Sequence, residues 1–205
     1  MLYLVRHSQP LSEQAAANSK LPSDAENVLT ALGFEQADRL AVAFSKIKPA
    51  RVICSPLARA QLTARPIAAT LAVEPEIDDR LAERDYSAAS GLTVQSWRDI
   101  QERNYVDTSA SLVGEETLVS QRGRVQSWLR DLETRIRTSL DENVIVVCHG
   151  GTIEHLLGCI MGNPVENMVQ YFFACECASI CTIAPLLASN DQLVYRIDAI
   201  NSLTL

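Results

Sequence analysis

No stretch of the sequence approaches the roughly 20 consecutive apolar residues that a membrane span needs, although 47% of its 205 residues are hydrophobic. Positive charge is also scarce. Eighteen Lys and Arg stand against twenty-five Asp and Glu, a formal net charge of −7, with a pI near 5.0. A general nucleic-acid or anionic-membrane surface needs a basic face, so neither is an expected partner. A small anionic molecule is not excluded, because a pocket's potential depends on local charges. Linkers, repeats and low-complexity segments are missing, which implies one domain over residues 1–205. Nor does the N-terminus resemble a secretory signal: Met1 leads directly into an apolar run with Arg6 and His7 behind it. A cytoplasmic location is the expectation.

The six cysteines, Cys54, Cys148, Cys159, Cys175, Cys177 and Cys181, lack a second pair at zinc-finger spacing. Cys54 and Cys148 close buried-looking strands, where a free thiol behaves as a small apolar residue. Alternation in one strand would put Cys175, Cys177 and Cys181 on a single face, which reads as packing. No metal site or cofactor is expected.

Histidine is rare as well, and its placement is informative. Two of the three histidines end strongly apolar runs. Leu2-Tyr3-Leu4-Val5 delivers Arg6-His7, and Val144 through Cys148 delivers His149-Gly150-Gly151. Short runs rich in β-branched residues read as buried parallel strands. Ligands of open α/β sheets bind beyond the carboxyl ends of such strands.

The remaining pattern alternates strands with helices. Thr30 is placed to cap a helix bearing Leu32, Gln36, Leu40 and Phe44 at helical spacing, closed by Lys48-Pro49. Arg51-Val52-Ile53-Cys54 is the second buried strand, and Ser55-Pro56 opens a helix to about Leu71. Ile77 begins a short extended segment, residues 83–92 form a loop, and a helix covers 93–103. A longer helix over 116–140 turns Leu118, Val125, Leu129, Leu132, Ile136 and Leu140 inward. Strand 144–148 and helix 152–161 follow. Runs 178–184 and 193–200, joined around Ser189-Asn190-Asp191, suit an edge hairpin. The expected fold class is α/β, with a mostly parallel central sheet covered on both faces and a C-terminal strand pair.

Four pieces carry chemistry. A neutral imidazole such as His7 is a competent nucleophile toward phosphorus, and Arg6 beside it can grip the equatorial oxygens of the phosphoryl group. Ser55 through Ala64 leaves the same sheet edge. Its helix N-terminus is a natural anion site, with Arg59 one turn in and Arg65 read as structural. Glycines after His149 allow close backbone approach or left-handed conformations, and the imidazole can neutralise a phosphoryl group. His155, mid-helix, reads as core or surface. Finally, Glu83 or Asp85 in Leu81-Ala82-Glu83-Arg84-Asp85-Tyr86 can protonate a leaving oxygen.

These pieces, in this order, resemble the histidine phosphatase superfamily, the phosphoglycerate-mutase-like proteins. Leu4-Val5-Arg6-His7 resembles its LVRHG signature, and Leu29-Thr30-Ala31-Leu32-Gly33 with Gln36-Ala37 its LTxxGxxQA helix. Ser55 through Ala64 is similar to its SxLxRAxxTA run, Leu81-Ala82-Glu83 to its LxE loop, and Val147 through Gly151 to its second histidine motif. The resemblance implies a three-layer α/β/α sandwich and phosphorylation of His7. Arg6, Arg59 and His149 would hold the phosphoryl group, and Glu83 would be the proton donor and later the base. Ser8 and Gly150 join the expected substrate-binding residues, and no metal is implied. Ser8 replaces the usual glycine, Gln9-Pro10 a Glu-Thr pair and Glu13 a frequent asparagine. Ser87 and Ser90 stand for a glycine and a glutamate, and Gly114-Glu115-Glu116 only approximates a GES segment.

The leading expectation is a phosphomonoesterase acting on a small phosphorylated metabolite, with loops 8–28 and 84–117 capping the site. Trp97 and Tyr105 are candidates to line that cap. A cofactor-dependent phosphoglycerate mutase is the alternative. It must hold a bisphosphate, yet loop 10–28 offers only Lys20 as a cation. A non-catalytic phospho-ligand-binding scaffold is the third reading. The substrate's identity and a homodimeric assembly stay open.

Overall fold

The computed structural model describes residues 1–47, 50–89, 91–104, 107–139, 141–170 and 173–204. Six strands form one sheet in the order β3-β2-β4-β1-β5-β6. They are β1 (Leu2–Arg6), β2 (Ala50–Cys54), β3 (Glu76–Ile77), β4 (Asn143–Cys148), β5 (Ile180–Leu187) and β6 (Leu193–Ser202). The first four run parallel. β5 pairs antiparallel with β1, and β6 with β5, giving the expected hairpin at the sheet edge.

Two hydrophobic cores lie on opposite faces of this sheet, following from the twofold alternation of side chains along a strand. Tyr3, Val5, Val52, Ile145 and Val147 face helices α2 (Ala31–Phe44) and α3 (Ala58–Leu71), meeting Leu40, Phe44, Ala64 and Ile67. Leu2, Leu4, Val144 and Val146 face α5 (Leu118–Ile136) and α6 (Gly150–Ile160), meeting Val125, Leu129, Leu132, Ile153 and Leu157. A three-layer α/β/α sandwich results. The short α1 (Leu11–Gln14) and α4 (Val94–Asn104) lie over the carboxyl ends of the strands, in the segments expected to cap the site. No helix among the described residues is long and apolar enough to cross a membrane.

Several boundaries differ from the sequence reading, each for a physical reason. Thr30 caps α2 as expected, its hydroxyl accepting from the Gly33 N–H at 3.0 Å. Leu32, however, is 41% exposed, and the small residues Gly33, Ala37 and Ala41 occupy the inward stripe. Helix α3 starts at Ala58, because Ser55 and Pro56 are used in the turn that brings the chain off β2. Pro66 sits inside α3, a position where it removes one helical donor. Helix α6 starts at Gly150 with His149 as its N-cap, so both glycines are helical; neither has a positive φ. Ile77 ends β3 rather than beginning it. Helix α5 stops at Ile136, and the expected roles of Lys48-Pro49, Leu140 and Tyr105 fall outside the described residues. Cys175 and Cys177 precede β5, which begins at Ile180, so the three late cysteines do not share one strand face. All six cysteines are free.

Two glycines give opposite expectations. A Cβ at Gly33 would lie 2.3 Å from the Gln9 carbonyl oxygen, where helix α2 meets the chain leaving β1. Gly33→Ala should therefore destabilise by about 1–3 kcal/mol. Gly123, in α5, has nothing within 4 Å, so Gly123→Ala should stabilise by roughly 0.5–1 kcal/mol. Urea unfolding of both variants measures this directly; equal effects would contradict the packing described.

Candidate active site

The strand register assembles the site. Arg6 stands beside Cys148, and Cys54 beside Val147. The residues that follow, His7, His149 and Ser55, leave the sheet at one edge. The His7 N–H donates to the Cys148 carbonyl at 2.9 Å and the Ser55 N–H to the Val147 carbonyl at 3.0 Å. The two imidazole rings end up with centroids 5.0 Å apart, tilted by 57°.

The hydrogen bonds of His7 fix its tautomer. Nδ1 lies 2.8 Å from the Ser8 carbonyl oxygen, which can only accept, so Nδ1 carries the proton. The lone pair is left on Nε2. Burial, then the charges of Arg59 and Arg6, hold the His7 pKa well below the usual imidazole value. The ring is therefore neutral at physiological pH, as a nucleophile must be. His149 is fully buried, and its Nε2 shares a 2.7 Å hydrogen bond with the Ser55 hydroxyl, which itself accepts from the Leu57 N–H. Its pKa is likewise pushed well down, by burial first and then by Arg59, His7, Arg6 and Arg124.

Two guanidiniums reach the same place. Arg6 donates through Nη1 to the Cys175 carbonyl at 2.6 Å and through Nη2 to Glu13 at 2.5 Å. Its Nε is buried without a partner among the described residues. Arg59, 3% exposed, donates to Asp24 at 2.8 Å, and the Tyr86 hydroxyl donates to the same carboxylate oxygen at 3.0 Å. A cavity of ≈ 230 Å³ is lined by Arg6, His7, Arg59, Glu83, Tyr86 and Trp97, among others.

The two loop carboxylates differ in position. Glu83 lines the cavity, its Oε2 accepting from the Gly151 N–H at 3.0 Å and its Oε1 from Gln121 Nε2 at 2.9 Å. Asp85 instead accepts from the Ser87 N–H in an exposed turn. Close approach is the use of Gly151: a Cβ there would lie 2.6 Å from Glu83 Oε1. Arg124 holds the loop from behind by donating to the carbonyls of Arg80, Ala82 and Glu83.

Some expected residues serve differently. The Ser8 side chain is wholly buried and does not line the cavity. It acts through its backbone, the carbonyl on His7 and the N–H on Thr63 Oγ1 at 3.0 Å. Gly150 is packed against Arg6, where an added Cβ would lie 3.7 Å from Nε. Trp97 is 6% exposed, stacks near Tyr86 and lies under the Arg84 guanidinium, so it both packs and lines the cavity.

Other residues escaped the sequence reading. Gln121 interrupts the apolar stripe of α5 between Leu118 and Val125, and that interruption was the available signal. Its Oε1 lies 3.2 Å from His155 Nε2, so His155, wholly buried, supports the Glu83 carboxylate through Gln121. Burial, then nearby arginines led by Arg122, lower the His155 pKa to about 3. Glu154 lies beside them, its pKa raised to about 7 by burial and then by Glu83. Among the described residues, no group of three or more His, Cys, Asp or Glu could hold a metal ion.

Comparison with known proteins agrees with this geometry. The family model of the histidine phosphatase superfamily (branch 1) matches residues 2–186, and the chain belongs to that family. It is 31% identical over 173 residues to a Hydrogenobacter thermophilus protein named "Putative phosphoserine phosphatase 2", covering 82% of this chain and 81% of that one. It is 27% identical over 200 residues to the adenosylcobalamin/alpha-ribazole phosphatase of Escherichia coli, covering 95% and 96%. Mycobacterial glucosyl-3-phosphoglycerate phosphatase, solved as a complex with VO3, shares the fold at a TM-score of 0.82 and 24% identity, covering 98% of each chain.

The buried histidines make stability depend on pH. Unfolded, an imidazole takes up a proton near pH 6.5, whereas His7, His149 and His155 resist protonation in the fold. Below that pH the unfolded state binds more protons, so each histidine costs about 1.4 kcal/mol of stability per pH unit of acidification. Glu154 opposes them between its ordinary 4.5 and about 7, because the folded carboxyl keeps a proton that the unfolded chain releases. Three histidines outweigh one carboxyl, so stability should fall by about 3 kcal/mol from pH 6.5 to pH 5. Urea titrations at the two pH values test this; constant stability would contradict neutral buried imidazoles.

Proposed function

We propose that this protein is a phosphomonoesterase that hydrolyses a small phosphorylated metabolite through a phosphohistidine on His7. One observation carries the reading: His7 Nδ1 is committed to the Ser8 carbonyl, and the ring lines a cavity with Arg6, Arg59 and Glu83. Nε2 attacks phosphorus as the ester P–O bond breaks. Glu83, carrying a proton, gives it to the leaving alkoxide. The resulting carboxylate then takes a proton from water, whose oxygen attacks phosphorus, breaks the P–N bond and releases phosphate. Arg6 and Arg59 offset the charge on the equatorial oxygens throughout. His149 presents a further ring nitrogen, Nδ1, with no partner among the described residues. No step in this scheme requires a metal ion or a cofactor.

The relatives named as phosphatases support this reading over a scaffold role. Against a mutase, Lys20 does not line the cavity, which sets Glu13 and Glu83 beside the arginines Arg6, Arg59 and Arg98. We further read residues 1–205 as a single unit capped by segments 8–28 and 84–117. Its six free thiols fit a reducing, cytoplasmic compartment, and its net charge of −7 favours a small-molecule partner over nucleic acid or membrane.

Phosphate release from p-nitrophenyl phosphate should vanish in His7→Ala. Label from a ³²P-ester should be trapped on the wild type in acid-labile, alkali-stable form. Glu83→Gln should slow an alkyl phosphate about 100-fold or more, and p-nitrophenyl phosphate far less, because nitrophenolate leaves without a proton. Persistent turnover in His7→Ala overturns the nucleophile. Interconversion of 2- and 3-phosphoglycerate without phosphate release overturns hydrolysis.

A further inference from the structure

Glu13 occupies a place in the cavity that the hydrolytic scheme does not explain. Arg6 offers its side-on fork through Nε and Nη2, the edge that takes two oxygens of a phosphate. Among the described residues Nε is buried and has no partner, while Nη2 holds Glu13 Oε1. The other corner, Nη1, is tied to the Cys175 carbonyl. A phosphate that takes the whole fork must therefore displace the Glu13 carboxylate. Glu13 does not thereby leave the site. It lies on the short helix α1, lines the same cavity, and has a side chain 40% exposed. The Cys177 thiol, a weak donor, lies 3.9 Å from Glu13 Oε1.

A displaced carboxylate beside a phosphate dianion is a like-charge pair, which disfavours binding of a simple phosphate ester. A cationic group on the ligand removes that repulsion and takes over the contact that Arg6 gives up. We infer that Glu13 selects phosphomonoesters whose alcohol half carries an ammonium group, the carboxylate passing from Arg6 to that group as phosphate docks. The inference rests on the phosphomonoesterase reading for its substrate. Its core, a preference for paired phosphate and ammonium groups, concerns binding alone.

The test uses the full chain and two hydrolysis-resistant ligands of similar size, 3-aminopropylphosphonate and butylphosphonate. Calorimetric titration of the wild type should give about tenfold tighter binding of the amino compound, the worth of one charge-assisted hydrogen bond. In Glu13→Gln the ratio should fall to near one, with inorganic phosphate and butylphosphonate both binding more tightly than to the wild type. Glu13→Asp, which keeps the charge, should retain the preference. Equal affinity of the wild type for the two phosphonates overturns the inference, as does a preference that survives in Glu13→Gln. Uniform tightening of both ligands in Glu13→Gln also overturns it, since Glu13 would then be only a competitor for Arg6. If discrimination is found while p-nitrophenyl phosphate is not hydrolysed, the selection stands and the phosphatase reading fails.

Discussion

The register between parallel strands is the constraint on which the site depends. Because Arg6 pairs with Cys148 and Cys54 with Val147, the next residue of each strand arrives at the same edge. Two backbone hydrogen bonds continue the ladder one step further, through His7 and Ser55. The imidazoles become neighbours without help from any long loop. A slip of one residue would turn every side chain to the other face. It would send Tyr3 and Val5 into the layer that holds Leu2 and Leu4, so two separate cores oppose the slip.

Desolvation then sets the chemistry of what the register assembles. Both rings sit where burial and nearby guanidiniums oppose a proton, so His7 keeps the lone pair on Nε2. The guanidiniums are costly to bury unpaired, and each has a fixed partner before substrate arrives. The Cys175 carbonyl and Glu13 hold Arg6, and Asp24 holds Arg59. The donors are thus positioned in advance, and their carboxylate partners Glu13 and Asp24 both lie in the segment between β1 and α2.

Much of this is legible in the sequence, and the gaps have definite causes. Strands β1, β2 and β4 are apolar runs whose ends deliver Arg6, His7 and His149, and the Ser55–Ala64 run delivers Arg59. Those side chains are readable because their positions follow from strand ends and helix starts. Helix boundaries shift by up to four residues because capping is decided locally. His149 caps α6 itself, and Ser55 is spent on His149 and the Leu57 N–H rather than on starting α3. The glycines after His149 are readable as permissive residues, but the use of Gly151 is to admit the Glu83 carboxylate, a contact between positions 68 residues apart. Glu13 and Asp24 are acidic residues in a polar loop, indistinguishable in sequence from solvated ones. Gln121 and His155 gain meaning only when α5 packs on α6.

That packing holds Glu83, and not its neighbour Asp85, at the cavity. The first turn of α6 supplies the Gly151 N–H to one oxygen of Glu83, and α5 supplies Gln121, backed by His155, to the other. Arg124, also from α5, fixes the backbone carbonyls on either side. His149 is the N-cap of the same α6. Glu83, held by the Gly151 N–H, and His149, the N-cap, therefore meet at a single strand-to-helix junction.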